Sequence, residues 1–236
     1  MRKLLVALLL LIVALVAAAA LLLRASGKSS PATAPVSVQA TLAPGVLPRP
    51  GVYIYAQRGY EQAKAGPIKI HRKLPPQAIL VVNGHGHIVQ QEWRYSKQHL
   101  EAGRTLVNAR GRFTLWNRTR LVLVITDDEA HDARPVTLSE PLHLHVGQSW
   151  VQSYTVGSIH TVSRNRIVRS ELMQGKRVLV EIADSVVTGG GHPGTERDVD
   201  WHDPSTGLDL RETIDRHIGG TFPYEFHVDV RFLRKR

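Results

Sequence analysis

Two patterns of apolar and polar positions divide the chain. From Leu4 to Leu23 every position is apolar and none carries a charge. At about 1.5 Å per helical residue, such a run spans roughly the 30 Å hydrocarbon core of a bilayer. It predicts an N-terminal membrane-spanning helix. Cleavage as a signal peptide would have to use Ala17–Ala20 and leave Leu21–Leu23 on the mature chain, so residues 1–24 read as a signal-anchor ahead of a removable signal. The short basic N-terminus favours an N-in, C-out orientation, with the domain outside the cytoplasm in a cell envelope; a cleaved signal would give a secreted product. Residues 25–50 carry prolines at 31, 35, 44, 48 and 50, which forbid a continuous helix and predict a semi-extended tether.

From Gly51 the period changes to two. Short runs rich in Val, Ile, Leu, Thr, Tyr and Trp recur at Val52–Tyr55, Ala78–Val82, Ile88–Tyr95, Phe113–Trp116, Thr119–Thr126, Leu142–Val146 and Trp150–Val156. Further runs follow at Arg166–Leu172, Arg177–Ala183, Thr195–Trp201, Leu208–Ile214 and Tyr224–Phe232. Their spacing fits antiparallel strands. In Phe226–Phe232 the apolar residues alternate with His227, Asp229 and Arg231, which predicts one buried and one wet face. Asn83-Gly84, Gln174-Gly175 and Asn108–Gly111 read as hairpin turns. Ser96–Ala102 is the best helical stretch and is short enough to be a turn. Residues 51–236 are therefore expected to form a mainly β domain built on an antiparallel sheet, without parallel βαβ units.

Composition narrows the chemistry. The chain has 236 residues and no cysteine, which excludes disulfides, thiolate metal sites, a cysteine nucleophile and the lipidated cysteine of a bacterial lipoprotein. The formal charge is +10, spread along the chain rather than gathered into a nucleic-acid recognition motif. No nucleic-acid partner is expected.

Catalytic signatures are missing. No G-x-S-x-G occurs, and Glu92, Glu171, Glu181 and Glu212 offer carboxylates without selecting a pair. Gly189–Gly194 matches G-x-G-x-x-G in letters, but Pro193 and a strand-like run follow where a dinucleotide site needs a helix; it reads as a loop. No enzyme and no cofactor is expected. His85 with His87, and His143 with His145, place imidazole pairs on strand faces; Asp198, Asp200 and His202 fall at i, i+2, i+4 and form the best candidate metal cluster. A solvated strand face predicts the same spacing without a metal.

Four segments together resemble the LolA/LppX-type lipoprotein-carrier half-barrels of the envelope, nearest to their uncharacterised relatives. They are PGVYIYAQRGYE (Pro50–Glu61), LHLHVGQSWVQSY (Leu142–Tyr154), GKRVLVEIADSV (Gly175–Val186) and WHDPSTGLDLRE (Trp201–Glu212). The resemblance implies a curved antiparallel half-barrel whose concave face binds acyl chains or lipidated proteins. Tyr53, Tyr55, Trp93, Tyr95, Trp116, Trp150, Tyr154 and Trp201 are the candidate lining of such a groove, where amphipathic rings suit tails meeting headgroups. The expected function is noncatalytic binding of a lipid or another amphiphilic envelope molecule. The alternative is a protein–protein interaction or scaffold domain whose sheet is filled by its own side chains.

Overall fold

The computed structural model describes residues 47–122, 126–191 and 193–236, and every regular element among them is a strand. The predicted span Leu4–Leu23 and most of the tether lie outside the described residues. Among those described, no helix is long and apolar enough to cross a membrane.

Thirteen strands follow in chain order: β1 (Gly51–Ala65), β2 (Ile68–Lys73), β3 (Gln77–His85), β4 (Ile88–Arg94), β5 (His99–Asn108), β6 (Gly111–Val122), β7 (Thr126–Pro141), β8 (Ser149–Val156), β9 (Ile159–Met173), β10 (Lys176–Gly189), β11 (Gly194–Asp203), β12 (Leu208–Ile218) and β13 (Tyr224–Lys235). All pair antiparallel with their neighbours. The last strand returns to the first: Tyr53 to Ala63 of β1 face Lys235 to Tyr224 of β13. The result is a closed barrel of twelve strands, with β2 attached beside the second half of β1. This corrects the expected half-barrel. Alternation is identical in open and closed sheets, whereas closure depends on a pairing between the two ends of the domain that no local pattern encodes. Closure covers most strand edges, and the exceptions among the described residues are the outer edge of β2 and the facing edges of β7 and β8.

Gly59 makes that seam possible. With φ at +150°, a Cβ there would fall 2.0 Å from the His227 carbonyl oxygen, so any side chain would push β1 and β13 apart. At the β9–β10 hairpin, Gln174 (φ 50°) and Gly175 (φ 75°) supply the two positive φ values of a tight turn, as the sequence predicts.

Local expectations needed other corrections. The β3–β4 turn falls at Gly86-His87, because Asn83 and Gly84 remain in the ladder opposite Gln90 and Val89. Leu142–Val146 is a loop, folded back by bonds from Gly147 N to the Ile167 carbonyl and from Gln148 N to the His145 carbonyl. Ser96 caps a bend by accepting from the amides of Gln98 and His99, after which β5 begins. The polar stretch that becomes β7 carried no strand signal, since it is paired along β6 while leaving about half of its described length exposed. β7 and β8 share only the pairs Ala133↔Val156 and Arg134↔Thr155, which makes this the weakest lateral contact of the wall.

The apolar core sits inside the barrel toward β1, β3, β4 and β13. Tyr55, Leu80, Val82, Tyr95, Phe226, Val228 and Val230 are buried there. Rings meet across the lumen: Tyr95 and His99 each lie edge-on to Phe226, with centroids 5.1 and 4.6 Å apart. A second cluster joins Val178, Val180, Trp201 and Leu210.

Candidate ligand site in the barrel lumen

Contacts between strands far apart around the wall identify which face is inside. Glu101 on β5 meets Arg216 on β12 at 2.5 Å, and Glu140 on β7 approaches His202 on β11 at 3.6 Å. Pairing then places Glu196, Asp198, Asp200 and His202 of β11 on the inner face, abreast of Arg216, Ile214, Glu212 and Asp209 of β12.

The inner polar groups fall into two sets. The first is an alternating chain of charge running Arg72, Glu61, His99, Glu101, Arg216, Glu196. Arg72 donates to Glu61, His99 places Nδ1 3.1 Å from Glu61 and Nε2 3.0 Å from Glu101, and Arg216 donates to both Glu101 and Glu196. Neither Glu61 nor His99 exposes any side-chain surface. Burial alone would push the His99 imidazole down, but its hydrogen bonds to Glu101 and Glu61 outweigh that and raise it. Burial likewise works to raise the Glu101 carboxyl, and is overcome by the Arg216 guanidinium and by His99, which hold it well below the usual carboxylate range.

The second set has no such alternation. On the inner face Glu181 of β10 lies opposite Asp200 of β11, which lies opposite Glu212 of β12, with Asp198 two residues along from Asp200. Directly opposed residues hold their Cβ atoms about 5 Å apart, and like charges in that position repel. Among the described residues no Arg, Lys or His forms an ion pair with these four. Burial first, and neighbouring carboxylates second, raise all four carboxyls well above their ordinary range; for Asp200 the neighbours are Asp209, Glu212, Asp198 and Glu181. Asp198 Oδ1 and Glu212 Oε2 are buried without a hydrogen-bond partner. Asp198, Asp200 and Glu212 are half-buried as residues, although those two oxygens are themselves closed to solvent.

At one end of the barrel a cavity of about 60 Å³ opens between Val107, Arg112, Glu140, Leu142, Leu144 and His202. His202 is tied there by Asp209 at 3.1 Å and Arg112 by Glu140 at 2.8 Å. Burial lowers the His202 imidazole, but Asp209 and Glu140 raise it further than burial can lower it.

The expected groove residues are dispersed among these environments. Tyr53, Tyr55, Trp93 and Tyr95 join the apolar core, where Trp93 stacks on Tyr95 at 5.6 Å and Tyr55 meets Trp93 edge-on at 4.7 Å. Tyr154 lies near Glu196 and Asp198, and its hydroxyl is pushed up chiefly by burial. Trp150 donates to the Ser139 carbonyl at 2.8 Å across the β7–β8 seam. Trp116 lies beside Arg104, and Trp201 under Arg211 with 4.3 Å from guanidinium to ring; these two stand apart from the others. Asp198, Asp200 and His202 do share one face. However, no group of three His, Asp or Glu side chains among the described residues converges closely enough to hold a metal ion. His87 sits in a turn and His143 and His145 in a loop, so neither imidazole pair shares a strand face.

Sequence reasoning overlooked Glu61, His99, Glu101, Glu196 and Arg216. The signal available was Glu-Arg-Asp-Val-Asp-Trp (196–201), where acids alternate with Val199 and Trp201; the alternation is clear, but not which face turns inward.

No family model and no curated protein matches the chain. Among solved structures it is similar to the hypothetical lipoprotein YmcC from Escherichia coli (K12), at 16% identity over 81% of this chain and 89% of that one, with a TM-score of 0.33.

Proposed function

We propose that this chain is a membrane-tethered, extracytoplasmic barrel that noncatalytically binds the polar end of a lipid or other amphiphilic envelope molecule. Leu4–Leu23 would supply the tether and the barrel lumen the site. The observation that carries the reading is the patch of Glu181, Asp200, Glu212 and Asp198, acids crowded together on the inner face with two buried oxygens that lack partners. A domain gains nothing in stability by crowding unpaired carboxyls, since each costs free energy on burial. A ligand that satisfies them explains their presence. The short β7–β8 ladder is the natural side entrance, and exposed Val136 on β7 and Val151 on β8 border it with apolar surface suited to a tail.

A scaffold domain is the second reading, favoured by one observation. The apolar half of the lumen is filled by its own side chains, and the 60 Å³ cavity is far below the roughly 300 Å³ at which small-molecule pockets begin. Native mass spectrometry of the full chain from membrane-containing cells, before and after organic extraction, separates the two. The binding reading expects an extractable adduct. A clean apo mass that takes up nothing from added lipid extract would sink it in favour of the scaffold.

A further inference from the structure

We infer that the end of the barrel at which β1 begins docks on an anionic phospholipid surface. This rests on the tethered reading above and adds which face meets the membrane and what lipid chemistry it meets. Antiparallel order places the start of β1, the end of β13 and the connections after β3, β5, β7, β9 and β11 at that one end. Cations scattered through the sequence are thereby gathered on one rim. Arg49, Arg110, Arg177, Arg234, Lys235 and Arg236 are all exposed there, and none of them forms an ion pair with a described acid. The acids nearest the rim are already engaged: Glu140 by Arg112, Asp203 by Lys176, Glu171 by Arg169 and Asp209 by His202. At the opposite end the signs are mixed, because Lys64, Lys69, Lys97 and Arg120 are exposed together with Asp128, Glu129 and Asp215.

Two further observations select a lipid surface. The Gln174 side-chain amide donates to the Phe232 carbonyl at 2.9 Å, which ties the β9–β10 hairpin to the end of β13. Leu172 and Leu233, 72% and 52% exposed, lie on these joined segments, the one close in sequence to Arg177 and the other next to Arg234. Headgroup phosphates take the cations while the leucines enter the interfacial layer, whereas a soluble acidic polymer would satisfy the charges and leave both leucines in water. The chain also enters the fold here: Leu47, the first described residue, packs against the apolar core, Pro48 is buried, and Tyr53 donates to the Arg49 carbonyl. With Leu4–Leu23 anchored as proposed, the tether delivers the chain to this rim, and docking here needs no reversal of the barrel.

The test uses the full chain in vesicles of phosphatidylcholine alone or of equal parts phosphatidylcholine and phosphatidylglycerol. The chain has no cysteine, so Leu233→Cys at the rim and Ser158→Cys at the opposite end each give one site for a polarity-sensitive dye. In the mixed vesicles the label at position 233 is expected to shift to the blue and to be quenched by nitroxide-bearing lipid, while the label at position 158 stays in water. Each Lys or Arg near an anionic surface favours docking by about fivefold, so Arg177→Gln with Arg234→Gln should lower the docked-to-free ratio by more than roughly tenfold, and high salt should act in the same direction. Both arginines are exposed, and an unaltered melting curve shows that the variant folds. If the label at 233 remains in water in both vesicles while the chain resists carbonate extraction, the docking inference falls and the tethered reading stands. If both labels are quenched alike in phosphatidylcholine alone, adsorption is nonspecific and the inference falls. If dissolved polyglutamate shifts the label at 233 as far as the mixed vesicles do, the rim serves an acidic polymer and the lipid assignment falls. If carbonate releases the chain from both vesicles and the label never moves, both readings fall together.

Discussion

The barrel holds two sets of buried carboxylates a few residues apart, and they have opposite consequences. Glu61, Glu101 and Glu196 are interleaved with Arg72, His99 and Arg216, so each charge is met by its opposite. Glu181, Asp198, Asp200 and Glu212 are adjacent to one another. Both sets lie on the inner face and overlap in their strands; the first contains cations and the second contains none. One set ties the two sides of the lumen together, and the other stores unfavourable energy.

Removing the central cation of the balanced set should break the comparison most severely. Arg216→Leu leaves Glu101 and Glu196 buried without it, and the expected loss is about 3–5 kcal/mol of stability. Chemical denaturation read by tryptophan fluorescence would measure it. A loss no larger than that of an average surface substitution would mean that water enters this part of the lumen and screens the pair.

The opposite result is expected in the crowded set. The double variant Asp200→Asn, Glu212→Gln should gain on the order of 1–3 kcal/mol at neutral pH, because raised carboxyl pKa values oppose folding once the unfolded chain has released its protons. The sign differs between the two sets. Glu101, held below its ordinary value of 4.5, contributes stability that is present above that value and lost as the pH falls through its folded value. Asp200 and Glu212 retain protons that the unfolded chain gives up near pH 4, so their contribution worsens as the pH rises from there through their folded values. His99, raised above 6.5, adds stability that is full below that pH and lost as the pH climbs through its folded value. Melting temperature against pH should therefore fall on both sides of a mildly acidic optimum, and the double variant should flatten the neutral side while leaving the acid side intact. Loss of the acid limb instead would reverse the assignment of the two sets.

This contrast was only half legible in the sequence. Alternation in Glu196–Trp201 correctly placed Asp198 and Asp200 on one face, and the β nature of the domain followed from the same period. The hydrophobic rule then suggested that acids turn outward, whereas Trp201 packs with Val178 and Val180 on the face opposite Glu181 and Asp200. A period of two fixes which residues share a face without fixing which face is enclosed. The partners were even less visible: His99 meets Glu61 across 38 positions and Arg216 meets Glu101 across 115, distances set by barrel closure. Closure depends on β1 meeting β13 at Gly59, a residue whose role appears only when the His227 carbonyl lies against it. Where a turn was written locally, as at Gln174-Gly175, the reading held. At Leu142–Val146 hydrogen bonds to β9 and within the loop overrode a fair strand pattern.

The smallest expected effect lies outside the barrel and tests whether burial, rather than pairing alone, makes the difference. On the outer face Asp229 accepts from Arg58 at 2.7 Å and from Arg211 at 2.9 Å, with Arg231 at 3.5 Å. The Asp229 side chain is 6% exposed but Arg58 is 75% exposed, so Arg58 is largely screened and its loss leaves Arg211 in place. Burial tends to raise the Asp229 carboxyl, and the hydrogen bonds from Arg211 and Arg58 hold it below its ordinary range. Arg58→Ala should cost no more than about 0.5 kcal/mol, and less still in high salt. The geometry of this pair is as good as that of Arg216 with Glu101. Should the two arginine substitutions prove equally costly, dielectric environment would not be what separates the inner network from an ordinary surface pair. A ratio of several-fold, widening as salt is added, would show that enclosure within the barrel gives the inner charges their weight.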